Sequence, residues 1–158
     1  MPVMISTSPA IYREVTLTSD TAQYASGDVL NATQEITGVC RAGHPVALWS
    51  LALLDKDDQG AALDVYFLRS NVSIGTENAA AAITDAVADE IQTIVSIAAT
   101  DYADLGSSQF AVKNASDAGM GVVLFPDGGE SVFVATETGG TPLYTANGLT
   151  LKLGFLPL

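Results

Sequence analysis

Hydrophobic and polar residues alternate along much of this chain with a period of two, the signature of strands that bury one face and leave the other in water. Tyr12 to Thr18 sets Val15 and Leu17 on one side and Glu14, Thr16 and Thr18 on the other. Gln109 to Lys113 alternates with Phe110 and Val112 on one face, and Leu149 to Phe155 places an apolar residue at every second position. Val46 to Leu54 departs from this rule, because it is apolar on both faces. That pattern predicts a central strand covered on both sides. Beyond the polar run Asp55-Lys56-Asp57-Asp58-Gln59-Gly60, the segment Ala62 to Leu68 puts Leu63, Val65 and Phe67 on one face. Together the two segments predict a hairpin. On this reading Trp49, the chain's only tryptophan, anchors the core, and truncating it to alanine costs roughly 3–5 kcal/mol.

Further strands are predicted around Glu35-Ile36-Thr37, over Ile94 to Ala99, over Gly121 to Phe125 and over Ser131 to Thr136. The turn signal Pro126-Asp127-Gly128-Gly129 joins the last two as a second hairpin. One segment reads differently. Asn78 to Ile91 holds the run Ala79 to Ala82 and can place Asp85, Asp89 and Glu90 on a solvated side, which predicts a short helix. Many short strands, regular turn signals such as Ser26-Gly27-Asp28 and Asn147-Gly148, and no internal repeat predict a mainly β protein. The expected fold is an antiparallel β-sandwich of jelly-roll type with one short helix, and a β-barrel is the nearest competitor. No break in composition divides the chain, so residues 12–158 form one sandwich domain. Residues 1–11, with Pro2 and Pro9, read as an extended N-terminal arm.

A chain of 158 residues is long enough to bury a sizeable core without disulfides or metals. Eighteen acidic residues against six Lys and Arg give a net charge of −12, a field that repels phosphate and anionic lipid and argues against nucleic acid as a partner. Cys40 is the only cysteine, which excludes an intrachain disulfide and a two-cysteine metal site. No stretch reaches the roughly 18 apolar residues of a membrane span, and no basic segment leads into an apolar leader. Synthesis in the cytosol, with no membrane partner, is the expectation.

The familiar chemical constellations are each short of a member. Asp55 to Gly60 resembles the opening of a calcium loop, but Tyr66 stands where the bidentate glutamate belongs, so the run reads as a solvated turn. His44 is the only histidine and cannot hold a cupin-like metal by itself. His44 with Cys40 lacks an orienting group and an oxyanion hole. Among eighteen acids no pair of carboxylates stands out, and Gly119-Met120-Gly121 and Gly128-Gly129 sit beside strands, without the strand-to-helix context of a phosphate loop. Tyr12, Tyr24, Tyr66, Tyr102 and Tyr144 read either as a sugar-binding platform or as tyrosines at the edge of a core. No catalytic residue, cofactor or metal is predicted, and the chain does not read as an enzyme.

Tyr24-Ala25-Ser26-Gly27-Asp28, Leu53-Leu54-Asp55-Lys56 with Ala62 to Phe67, Val95 to Tyr102, and Thr141-Pro142-Leu143-Tyr144 leading into Leu149 to Phe155 occur in an order and spacing that resembles a family of small tailed-phage virion proteins. The resemblance implies a β-sandwich protein that decorates and cements the head, with the major capsid protein as its partner and no catalytic residues. The Ala-rich stretch departs from the family's pattern. A homotrimer at local threefold positions of the capsid surface is expected, after synthesis in the bacterial cytoplasm. Contact with the shell is expected in the arm, at Pro2, Val3, Ile5, Ile11 and Tyr12. The alternative is a carbohydrate- or receptor-binding jelly roll of a head fibre or tail, with tyrosines and loop carboxylates as its site.

Overall fold

Leu149, Leu151, Leu153 and Phe155 are all fully buried, and they project from one face of a strand that the rest of the molecule closes around. In the computed structural model, which describes residues 9–158, this strand is β10 (Leu149–Pro157). It runs antiparallel between β1 (Ile11–Leu17) and β3 (Val46–Asp55). Beyond β3 lie β7 (Gln109–Asn114) and then β6 (Tyr102–Asp104), while the short β8 (Val123–Leu124) pairs with the other end of β3. A second sheet has the order β2-β9-β4-β5, formed by β2 (Val29–Ile36), β9 (Val132–Thr138), β4 (Leu63–Leu68) and β5 (Ile91–Ile97).

The order 1-10-3-7 facing 2-9-4-5 is that of a jelly roll, in which the chain crosses repeatedly from one sheet to the other. The core lies between the sheets. Leu51, Leu53, Leu63, Val65, Phe67, Val95 and Val134 meet there, all with essentially no exposure. Such close apolar packing is the main favourable term holding the sheets together.

Both predicted hairpins open out into crossings between the sheets. β3 pairs with β10 and β7, whereas β4 pairs with β5 and β9, so the turn between them spans the sandwich. Likewise β8 joins β3 and β9 joins β2 and β4. The local pattern is the same for a hairpin and for a crossing, since each needs only two apolar strands and a polar turn. Long-range partners decide between them.

The predicted short helix is present, but over fewer residues than the pattern selects. Only α1 (Asp85–Ala88), capped by the Thr84 side chain, is helical. Asn78 takes a left-handed φ of 55°, which no helix tolerates in its interior. Ala80 and Glu77 instead form isolated bridges to Asp28 and Val29. The reason is tertiary. Residues 69–90 lie across the outer side of the four-stranded sheet, where Val72, Ala81 and Val87 cover Val29, Tyr66, Leu68 and Ala135. This makes a second, smaller core, so that part of this sheet is buried on both faces.

Trp49 is not a core residue. On β10, Gly154 faces Ser50 and Phe155 faces Leu48, which leaves Trp49 as the unpaired residue of a β-bulge. A bulge shifts the alternation by one. Val46 and Leu48 point inward before it, Leu51, Leu53 and Asp55 point inward after it, and Trp49 stands outside at 53% exposure. In β7 the inward residue is Ala111, while Val112 faces out, the reverse of the face the sequence pattern selects.

Candidate interaction face

The sites considered for chemistry resolve into structural roles. Asp55 is fully buried rather than solvated. One of its oxygens accepts from the Asp57 N–H at 2.9 Å, and the other accepts from the N–H groups of Gln59 and Gly60 at 2.9 and 2.8 Å. Those donors occupy the places a cation would need. Asp57 in turn accepts from the backbone and hydroxyl of Thr145, each at 2.8 Å, so the turn is tied to the loop preceding β10. Among the described residues, no group of three His, Cys, Asp or Glu is arranged to hold a metal.

Cys40 is buried with its thiol against the Gly129 carbonyl, while His44 is exposed. Burial, followed by the charge of Glu130, pushes the thiol pKa up, the opposite of what a nucleophile requires. The tyrosines do not form a platform. Tyr24 and Tyr144 pack against each other in the core with ring centres 6.3 Å apart. Tyr66 is buried and donates to Glu137, and the half-buried Tyr102 donates to the Ala61 carbonyl. An open cleft of about 280 Å³ near Asp64, Ser96, Asp101 and Lys113 has its polar groups already matched. Lys113 sits 2.6 Å from Asp101, and Ser96 donates to Asp64.

What remains is the outer face of the six-stranded sheet. The registers lay out its rows. Thr16, Thr150, Leu54, Phe110 and Ala103 form one, Glu14, Lys152, Ala52 and Val112 the next, and Tyr12, Gly154, Ser50 and Asn114 a third. At the end beyond the third row, Trp49 stands with Ala47, Val123 and Leu156. Trp49, Val112 and Val123 are 53%, 52% and 42% exposed, and Ala52, Leu54 and Phe110 are half-buried. Apolar side chains therefore dominate the β3, β7 and β8 portion, and no segment of the described chain covers them as residues 69–90 cover the other sheet.

The face is also electrically quiet. Its charged side chains among the described residues include Glu14 and Lys152, 3.2 Å apart, with Lys56 at the margin close enough to act on Glu14, and Tyr12 donates to the same carboxylate at 2.6 Å. The hydrogen bond from Tyr12, then that from Lys152, holds the Glu14 carboxyl below the ordinary carboxylate range, so it stays ionised and compensated. A largely apolar surface, interrupted by Ser50 and Asn114 and framed by neutral polar groups, has the composition of a protein-binding patch.

Two of the five residues expected at a partner contact fall within the described chain. Ile11 opens β1 opposite Phe155 and packs against the core. Tyr12 projects outward at 56% exposure, on the same face as Trp49. Pro2, Val3 and Ile5 lie outside the described residues. The sequence pattern passed over Trp49, Val112 and Val123 as surface residues, although one signal was present. A strand that is apolar on both faces, in a sandwich of two layers, has one face left for something else to cover.

No protein-family model matches this chain, and no curated protein matches it. Among solved structures, it is similar to a chain of Desmodium yellow mottle tymovirus, with a TM-score of 0.28 and 10% identity over 100% of this chain and 87% of that one. A chain of infectious bursal disease virus, Gx strain, aligns with a TM-score of 0.22 and 13% identity over 96% of this chain and 42% of its own. Likeness at this level assigns no function.

Proposed function

We propose that this chain is a non-enzymatic structural protein of a tailed-phage virion that decorates the outside of the head and cements neighbouring capsomers. The observation that carries this reading is the largely apolar outer face of the six-stranded sheet, which no segment of the described chain covers. Jelly rolls serve as viral capsid, lectin and cupin domains, among others. The single histidine argues against a cupin site, and the burial of Tyr24, Tyr66 and Tyr144 argues against a stacking platform for sugars.

A cement protein acts by mass action. It binds the assembled shell and not its separated parts, so each contact stabilises the assembled state, and a copy that bridges two capsomers gains from effective concentration. The acidic exterior suits a partner on the solvent side of the shell, away from packaged DNA. Contact with the major capsid protein is assigned to the arm, at Pro2, Val3, Ile5, Ile11 and Tyr12. The test is rebinding to heads that lack the protein. Saturable co-sedimentation of the full chain and loss of binding on deletion of residues 2–8 are expected, and undiminished binding by the deletion variant refutes the assignment of the contact.

A further inference from the structure

Resting on that reading of an assembly protein, we infer that the occupant of the six-stranded sheet's outer face is a second copy of this chain, the two sheets packing face to face about a twofold axis. Charge selects this occupant. Two copies of a chain with a net charge of −12 repel wherever their acidic sides meet, and the opposite side of the sandwich carries Glu35, Asp64 and Glu137 on outward-facing positions. The Trp49 face carries Glu14 and Lys152 as a compensated pair with Lys56 at its margin, and so bears none of the acidic excess that keeps copies apart elsewhere. A basic partner would be drawn to the acidic sides instead.

Area supports the same occupant. Strands about 4.8 Å apart and rising about 3.3 Å per residue make this face about 24 Å on a side, or about 550 Å². Two copies bury about 1,100 Å², just past the roughly 1,000 Å² that marks a specific interface and below the standard size of about 1,600 Å². The pairing is therefore reversible in dilute solution and favoured where copies are gathered on a shell. Exposed on its bulge, Trp49 stands toward the β8 end of the face near Val123, with Val112 further along β7, a large aromatic of the kind such interfaces bury. A self-matching face closes on itself by twofold symmetry. The threefold arrangement expected from the sequence would set it against a different surface of the neighbour, and the measured mass separates the two.

Sedimentation velocity over a concentration series gives that mass, and the emission of the single tryptophan reports whether the face is covered. The parent chain is expected to pass from monomer to dimer as concentration rises, while Trp49 emission moves to shorter wavelength and acrylamide quenching falls. Val112→Lys, at an exposed position, is expected to keep the parent's circular dichroism and melting profile but to stay monomeric and quenchable throughout. Ile94→Lys, exposed on the other sheet, is expected to pair like the parent. A parent chain that is monomeric at every concentration, a trimer, or a Val112→Lys protein that still pairs overturns the inference. Rebinding to heads separates it from the decoration reading. Monomeric Val112→Lys that still sediments with heads supports both. A parent that is monomeric in solution and shields Trp49 only on heads assigns the face to the shell and overturns the pairing. A dimer that ignores heads leaves the pairing intact and removes the decoration role.

Discussion

Truncating Trp49 to alanine costs the fold about 1 kcal/mol, whereas truncating Phe67 costs about 4 kcal/mol. Trp49 is 53% exposed, so less than half of a side chain that buries at most about 250 Å² is covered. At about 25 cal/mol per Å², covering roughly 120 Å² sets a ceiling near 3 kcal/mol. The denatured chain already shields part of that area, the alanine methyl retains some of the contact, and about 1 kcal/mol of rotamer entropy is released. Water fills the vacated space, so no cavity term is added. Phe67 is fully buried between the sheets and loses both transfer and cavity terms. Urea unfolding followed by far-UV circular dichroism, in protein dilute enough to be monomeric, measures both. With a slope of about 2 kcal/mol per molar urea, the midpoint falls by about 2 M for Phe67→Ala and about 0.5 M for Trp49→Ala. Equal losses would refute the outward bulge.

Other substitutions test the remaining framework. The Tyr144 hydroxyl is buried without a hydrogen-bond partner, so Tyr144→Phe is neutral or stabilises by up to about 1 kcal/mol, read as a raised urea midpoint. Asp55→Ala leaves three N–H groups of the turn without their acceptor and costs about 3 kcal/mol or more, with faster hydrogen exchange at Gln59 and Gly60. Gly119 has a φ of +79° and lies against the Ile94 carbonyl, so Gly119→Ala combines strain with a backbone clash and lowers the melting temperature more than alanine at the unhindered Gly106. The hydrogen bond from Lys113, then that from the Ala98 N–H, lowers the Asp101 pKa. Its contribution is present above the unfolded-state value of about 3.9 and fades as pH falls through the lower folded value. The gap in urea midpoint between the parent and Asp101→Asn therefore closes in acid, and a gap independent of pH would contradict it.

Strand positions were legible in the sequence where one face meets the core and the other meets water. β1 and β10 follow their alternation closely, because their outward neighbours are polar. β7 misleads because its outward residues, Phe110 and Val112, are more apolar than the inward Ala111. β3 misleads at the bulge, whose extra residue has no mark in the local pattern and reverses which face Trp49 joins. The strand pairings were not legible. β3 and β4 sit on either side of a short turn, yet their partners β10 and β9 come late in the chain. The alanine run has helical propensity, but the outward side of the sheet at Tyr66 and Leu68 needs an irregular cover, and that tertiary demand outweighs a few tenths of a kcal/mol per residue. The interaction face was half legible, in the excess of apolar residues on β3, and the structure turns that excess into a surface.

The proposed position of this protein, outside a phage head and joining its capsomers, is open to a cryo-electron-microscopy difference map between heads assembled with and without it. Added density of jelly-roll size is expected on the outer surface at capsomer junctions. Heads that are identical in the two maps, or density confined to the tail or a fibre, would contradict it.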